Sequence, residues 1–257
     1  MPLTKSKGNM YPWVSHTHTH LGGECPHKCT YCYVQAMQRR FGGHRYHGEL
    51  RLIEDEFSVQ YGIHRTIFVE HCNDLWADGV PDNWISRVLS HCIDWPDNEY
   101  VFQTKNPNRY YGWLDKMPVN RLLGCTIETT DAGIAADVSQ SPSPEERYQA
   151  MTELTLTERV FVTVEPILKG DMMTLARWIG DIRPEFANVG ADSKGTGLDE
   201  PSADEVQTLL GGLQGLGVEI RQKRNLDRLR KITRKVTRQD TAHMVHSEGD
   251  TKNTDAG

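Results

Sequence analysis

The sequence predicts an α/β protein, an incomplete (β/α)6 TIM-like barrel of mostly parallel strands with helices outside, and three observations carry that reading. Short β-type runs alternate with helical segments, the pattern of parallel strands joined by crossover helices. Polar residues recur near the carboxyl ends of those runs, at the Cys25–Cys32 loop, Asn73, Lys105, Glu128, Glu165 and Asp192, and barrel enzymes assemble their sites at that rim. The runs number about six or seven rather than eight within 257 residues, a length that suits one barrel domain. That domain is placed at 1–233, with a polar, disordered tail over 234–257.

Taken in order, Trp13–His20 alternates cleanly and predicts the first strand, with His16, His18 and His20 on one face. In a barrel one strand face points to the lumen, so this row is expected to contact substrate or relay protons. Packing outward into a polar network under a helix, or a second metal, are the alternatives. Gly22-Gly23 ends the strand, and Tyr33–Phe41 reads as the first helix, stopped by Gly42-Gly43. Thr66–Cys72 is an apolar run of the kind a parallel sheet buries, with Asn73 and Asp74 at its end. Asp82 is expected to cap the next helix. Tyr100–Lys105 is strand three, stopped by Asn106-Pro107, and puts Lys105 where it can meet a carboxylate or phosphate. Leu122–Thr130 is strand four. Alternation sets Thr126 and Glu128 opposite Cys125 and Ile127, and a carboxylate in so apolar a strand needs a partner. A ribose diol and an internal salt bridge both qualify. Ser143-Pro144-Glu145-Glu146 starts a helix. Val160–Ile167 is strand five, with Glu165 at its end; Asp171 opens a helix, and Phe186–Asp192 is strand six, whose Gly190 permits close approach. Ser202 and Glu205 form a capping box for a helix through Leu213, and Val218–Gln222 closes the series.

The chemistry centres on Cys25-Pro26-His27-Lys28-Cys29-Thr30-Tyr31-Cys32, three cysteines spaced Cys-x3-Cys-x2-Cys in one loop. Three thiolates on a cubane cluster, which four cysteines usually hold, leave one iron free for a small molecule. The alternative is a structural zinc site completed by His20 or His27, although no second cysteine pair accompanies the first. Six cysteines without a signal peptide point to a reducing compartment rather than disulfides.

The spacing, with Tyr31 just before the third cysteine, resembles the signature of the radical S-adenosylmethionine (SAM) enzymes. Asn9–Val14, Asn73–Trp76 and Gln103–Pro107 are similar, more narrowly, to a phage-associated branch distantly related to spore photoproduct lyase. The resemblance covers roughly residues 9–230. It implies a [4Fe–4S] cluster on Cys25, Cys29 and Cys32 and SAM on the open iron. One electron from the cluster then cleaves SAM to methionine and a 5′-deoxyadenosyl radical that takes a hydrogen from substrate. It further implies cofactor-binding roles for Tyr31, Asn73, Asp74 and Glu128, the last on the SAM ribose, and a flavodoxin- or ferredoxin-type reductant as partner. The superfamily's frequent Gly-Gly-Glu is absent at the second strand end, so Asn73 and Asp74 enter by position. His16, His18, Lys105 and Glu165 are the substrate-side candidates. A modified pyrimidine in phage DNA or a nucleotide is the implied substrate. Photoproduct-type repair with Cys72 or Cys125 as hydrogen donor, and a zinc-stabilised nucleic-acid-binding module, are the competing readings.

Charge and hydropathy bound these readings. The net charge of −6 gives no broad footprint for nucleic acid, yet between 221 and 238 nine basic residues oppose one acid, Asp227. That stripe could steer a phosphate-bearing partner. No apolar run approaches the roughly 18 residues of a membrane span, and the N-terminus lacks a signal-peptide core, so a soluble protein of the cytoplasm, or of the host cytoplasm if phage-encoded, is expected.

Overall fold

The computed structural model describes residues 3–7 and 10–230. Its elements run β1 (Thr4–Lys5), β2 (His16–His18), β3 (Leu21–Gly22), α1 (Tyr33–Phe41), β4 (Arg51–Leu52), β5 (Thr66–Val69), α2 (Asp82–Ile93) and β6 (Glu99–Thr104). There follow β7 (Arg121–Thr126), α3 (Ala132–Val138), α4 (Pro144–Leu154), β8 (Val160–Val164), α5 (Met172–Ile182), β9 (Ala187–Val189), α6 (Ala203–Gly215) and β10 (Ile220–Gln222). The expected tail over 234–257 lies outside the described residues, as does the part of the basic stripe beyond 230.

Seven strands, β2, β5, β6, β7, β8, β9 and β10, pair in parallel in that order, and β1 adds antiparallel to the outer edge of β2. Among the described residues no ladder joins β10 back to β1 or β2, so the sheet curves as an open barrel. The alternation of strand and helix that predicted an incomplete barrel is present. The β6 to β7 crossover departs from it by using short 3-10 turns over Pro107–Gly112 and Leu114–Lys116. Pro107 explains this, because its missing N–H and its restriction on Asn106 favour a tight turn over a long helix.

Alternation along the strands sorts side chains into two layers. Ile67, Val69, Tyr100, Phe102, Leu123, Val162 and Val189 pack toward the helices in the larger core. Phe68, Val101, Leu122, Phe161 and Phe186 join Tyr11 and Val14 in a smaller one, which we take as the floor of the lumen. Several helix starts match their sequence signals. The Ser143–Glu146 and Ser202–Glu205 capping boxes are formed, and Asp171 accepts the Met173 and Thr174 N–H groups. Asp82 is a correction: the helix is led by Pro81, and Asp82 sits inside it with its carboxylate on Arg109 at 2.8 Å.

Candidate metal centre

The cysteine loop is positioned by a turn that only glycine makes without strain. Gly23 has φ near +82°, and a Cβ there would lie 2.0 Å from the Glu49 carbonyl oxygen. The chain then leaves β3 at the carboxyl rim of the sheet, with Cys25, Cys29 and Cys32 partly buried and free of disulfides. Cys25 and Cys29 border a cavity of about 160 Å³ walled by Phe68, Gln103, Lys105 and Thr126. Cys25 and Cys32 border a smaller one with Cys72.

Asp74 ties this loop to the strand ends. Its buried carboxylate accepts from His27 Nε2 (2.9 Å), the Thr104 hydroxyl (2.9 Å) and the Lys105 and Trp76 N–H groups (3.0 and 2.9 Å). Burial alone would raise its pKa, but His27 and these donors outweigh it and hold Asp74 below the usual carboxylate value. The Asn73 amide donates to the Gly23 carbonyl at 3.2 Å. Both residues line or approach the cavity as expected, yet their side chains are already occupied in fixing the loop.

The cysteines supply the donors of the site. Cys25, Cys29 and Cys32 are free thiols on one loop, and a cubane cluster takes a separate iron for each of three thiolates. Of the histidines that would complete a zinc site instead, His27 bonds Asp74 through Nε2 and His20 bonds Glu70 through Nδ1.

Through Tyr31 and Lys105 the loop and the cavity reach a buried ion-pair cluster around Glu128. Arg147, almost wholly buried on α4, donates to Glu128 Oε2 (2.5 Å) and to the Thr126 and Pro142 carbonyls (2.7 and 2.8 Å). The Lys105 ammonium and the Tyr31 hydroxyl both donate to Glu128 Oε1. Lys105 and Arg147 thus share one carboxylate, while Asp74 and Glu70 add acidic side chains along the cavity itself. Burial lowers Lys105 to about 8 and pushes the Cys25 and Cys32 thiols up. Of the two readings of Glu128, the internal ion pair is in place, with Lys105 and Tyr31 on one oxygen and Arg147 on the other.

The remaining candidates separate. Glu165, just beyond the carboxyl end of β8, accepts from Lys223 Nζ (2.7 Å) and Asn225 Nδ2 (3.0 Å). A Cβ on Gly190 would come within 3.0 Å of its carboxylate, the close approach expected at that glycine. Lys223 is therefore drawn inward from the basic stripe, while Arg221 stacks 3.4 Å over Phe186 and Arg228 pairs with Glu200. The histidine row is a correction. In the parallel register His16 is level with Ile67 and His18 with Val69, which places both on the helix side, while Thr17 is level with Phe68 on the lumen side. His16 bonds the Ser15 hydroxyl at 2.9 Å at the sheet margin, and His18 and His20 enter a buried network with His91. Nothing brings His16 or His18 to the cavity. Cys125 likewise packs in the helix-side core. Arg147 and His27 were not assigned their roles from sequence; an arginine four residues beyond a capping serine carries no local mark of burial.

A family model described as "Protein of unknown function (DUF5131)" matches residues 11–250. No curated protein matches the sequence. Among solved structures, a cysteine-to-serine mutant of spore photoproduct lyase superposes with a TM-score of 0.59 at 12% identity, over 85% of this chain and 79% of that one. Spore photoproduct lyase complexed with dinucleoside spore photoproduct gives 0.58 at 14%, over 85% and 79%. Streptococcus suis SuiB bound to S-adenosylmethionine gives 0.55 at 11%, over 83% of this chain and 51% of SuiB, about half its length. These likenesses establish a shared fold, the open α/β barrel expected from the radical SAM resemblance.

Proposed function

We propose that the chain, which belongs to the DUF5131 family of proteins of unknown function, is a radical SAM enzyme that uses the cysteine loop to hold a [4Fe–4S] cluster. The observation that carries this reading is a set of three free thiols on one loop at the carboxyl rim of an open barrel, two of them bordering a cavity that Lys105 also lines. With SAM bound at the open iron, the cluster would supply the electron that cleaves it and so the radical that abstracts hydrogen. The chain's own residues set the conditions. His27 and Asp74 fix the loop, while Lys105 and Arg147 offer positive charge to thiolates and to the SAM carboxylate. Tyr31 and Glu128 hold those two cations in place, a positioning role that replaces direct ribose binding. Gln103 and Thr126, bonded to each other at 2.9 Å, present polar groups across the cavity where substrate would lie.

For the substrate we propose a pyrimidine base in DNA or a nucleotide. The basic residues of 221–238 and the fold shared with an enzyme solved with a dinucleoside photoproduct support it. A flavodoxin- or ferredoxin-type protein would deliver the electron. Repair chemistry with a cysteine hydrogen donor is a second reading, favoured by Cys72, which borders the smaller cavity with Cys25 and Cys32.

The test is anaerobic reconstitution with iron and sulfide, reduction, addition of SAM and chromatography for 5′-deoxyadenosine. A product peak in the wild type that is absent in Cys29→Ala is expected. Cleavage that survives in Cys29→Ala, or a colourless wild type with stoichiometric zinc on its cysteines, would overturn the reading.

A further inference from the structure

On the helix side of β2 and β5, away from the cysteine cavity, lies a second cluster of ligand-type side chains. We propose that His18, His20 and His91 bind a divalent transition-metal ion, zinc foremost, with Tyr61 Oη in the fourth position. The argument is a count of protons. His91 Nε2 lies 2.9 Å from the Val59 carbonyl, which can only accept, so Nε2 carries the hydrogen and Nδ1 is bare. His20 Nδ1 lies 2.7 Å from Glu70 Oε1, a carboxylate that also accepts the His20 and Leu21 N–H groups, so Nε2 of His20 is bare. His18 Nε2 lies 2.7 Å from Glu56 Oε2, whose other oxygen takes Arg45, so His18 Nδ1 is bare.

The three rings converge, with a ligand nitrogen from each within 4.8 Å of the others. His20 Nε2 and His91 Nδ1 face each other at 2.9 Å, and Tyr61 Oη is 2.6 Å from His18 Nδ1 and 3.1 Å from His20 Nε2. The Tyr61 hydroxyl supplies a single proton to three lone pairs, and all four residues are buried from water. One cation is missing from this count. Zinc–nitrogen bonds of about 2.0–2.1 Å place tetrahedral ligands about 3.3 Å apart, so the Tyr61–His18 pair would widen by about 0.7 Å and the other two contacts by about 0.2–0.4 Å. Each imidazole also donates its far N–H to a carboxylate or carbonyl, the outer arrangement that fixes ring and tautomer in histidine metal sites. Glu70 holds its part of that arrangement from a left-handed backbone, φ near +61°, which a glutamate seldom adopts. With four protein ligands and no access to water, such an ion would tie β2, β5, α2 and the 54–61 segment together rather than perform chemistry.

A proton shared between Glu70 and His20 would supply the same charge, and the experiment separates the two. The full chain, reconstituted with iron and sulfide so that its cysteines are occupied, is analysed for metals by plasma mass spectrometry and titrated with Co2+. One equivalent of non-iron divalent metal per chain is expected, with cobalt ligand-field bands that lack thiolate charge transfer. His91→Gln and His20→Gln should lose both while keeping their iron. Absence of the metal and of those bands from the wild type, leaving a proton-bridged network only, would overturn the proposal. So would bands that carry thiolate charge transfer and persist in His91→Gln. Should the variants fail to fold, the wild-type titration decides alone.

Discussion

Two buried polar clusters occupy opposite layers of this barrel, and they are built to opposite electrostatic ends. On the cavity side Lys105 and Arg147 meet on one carboxylate, Glu128, and the cluster is closed by ion pairs. On the helix side three imidazoles give their N–H groups to Glu56, Glu70 and a carbonyl and turn lone pairs on one another. Strand alternation puts Thr17 on one side and His18 on the other, so adjacent residues of one strand belong to sites of opposite character.

The comparison breaks most visibly at Arg147. Arg147→Met removes the guanidinium from Glu128 Oε2 and from two carbonyls, of which that of Thr126 keeps the Cys125 thiol at 3.5 Å. Truncating one partner of a buried ion pair costs about 3–5 kcal/mol. Urea unfolding of the unreconstituted chain is expected to show a loss of that order. A loss below about 1 kcal/mol would mean that Lys105 and Tyr31 satisfy Glu128 without Arg147.

Asp74 sharpens the contrast through pH. Its folded pKa lies below the ordinary 3.8, so between those values the unfolded chain binds more protons and stability rises with pH. The contribution is whole above about 3.8 and is lost as pH falls through the folded value. Asp74→Asn is expected to cost about 2 kcal/mol at neutral pH, the scale of a charged hydrogen bond, and to flatten the acid limb of stability against pH. An unchanged acid limb would detach Asp74 from the loop.

What the sequence made legible follows from what is local. Helix starts at Ser143, Asp171 and Ser202 were readable because a cap needs only residues three or four apart. The cysteine loop was readable for the same reason. The phase of β2 was not, since a period of two says which residues share a face and never which face is inward; the partner Ile67, 51 residues away, settles it. Lys105 and Glu128 were both singled out, but their union and the part of Arg147 depend on β6, β7 and α4 meeting, for which no short-range signal exists. His91 was similarly hidden on an amphipathic helix, where it reads as one more polar position.

The smallest expected effect is also the one that best tests how the cavity side works. Glu128→Gln keeps the shape of the side chain and removes the anion that holds Lys105 and Arg147. If Glu128 positions those cations, the variant should bind SAM about tenfold more weakly, roughly 1.4 kcal/mol, with the cluster absorbance unchanged. A direct ribose contact predicts a different signature, because loss of that contact would weaken adenosine-containing ligands and spare methionine. Positioning through Lys105 and Arg147 acts on the carboxylate end, so methionine binding should fall with SAM binding. Competition of methionine and 5′-deoxyadenosine against SAM in the two proteins distinguishes the cases, and unchanged affinity for all three would leave Glu128 as a structural ion pair alone.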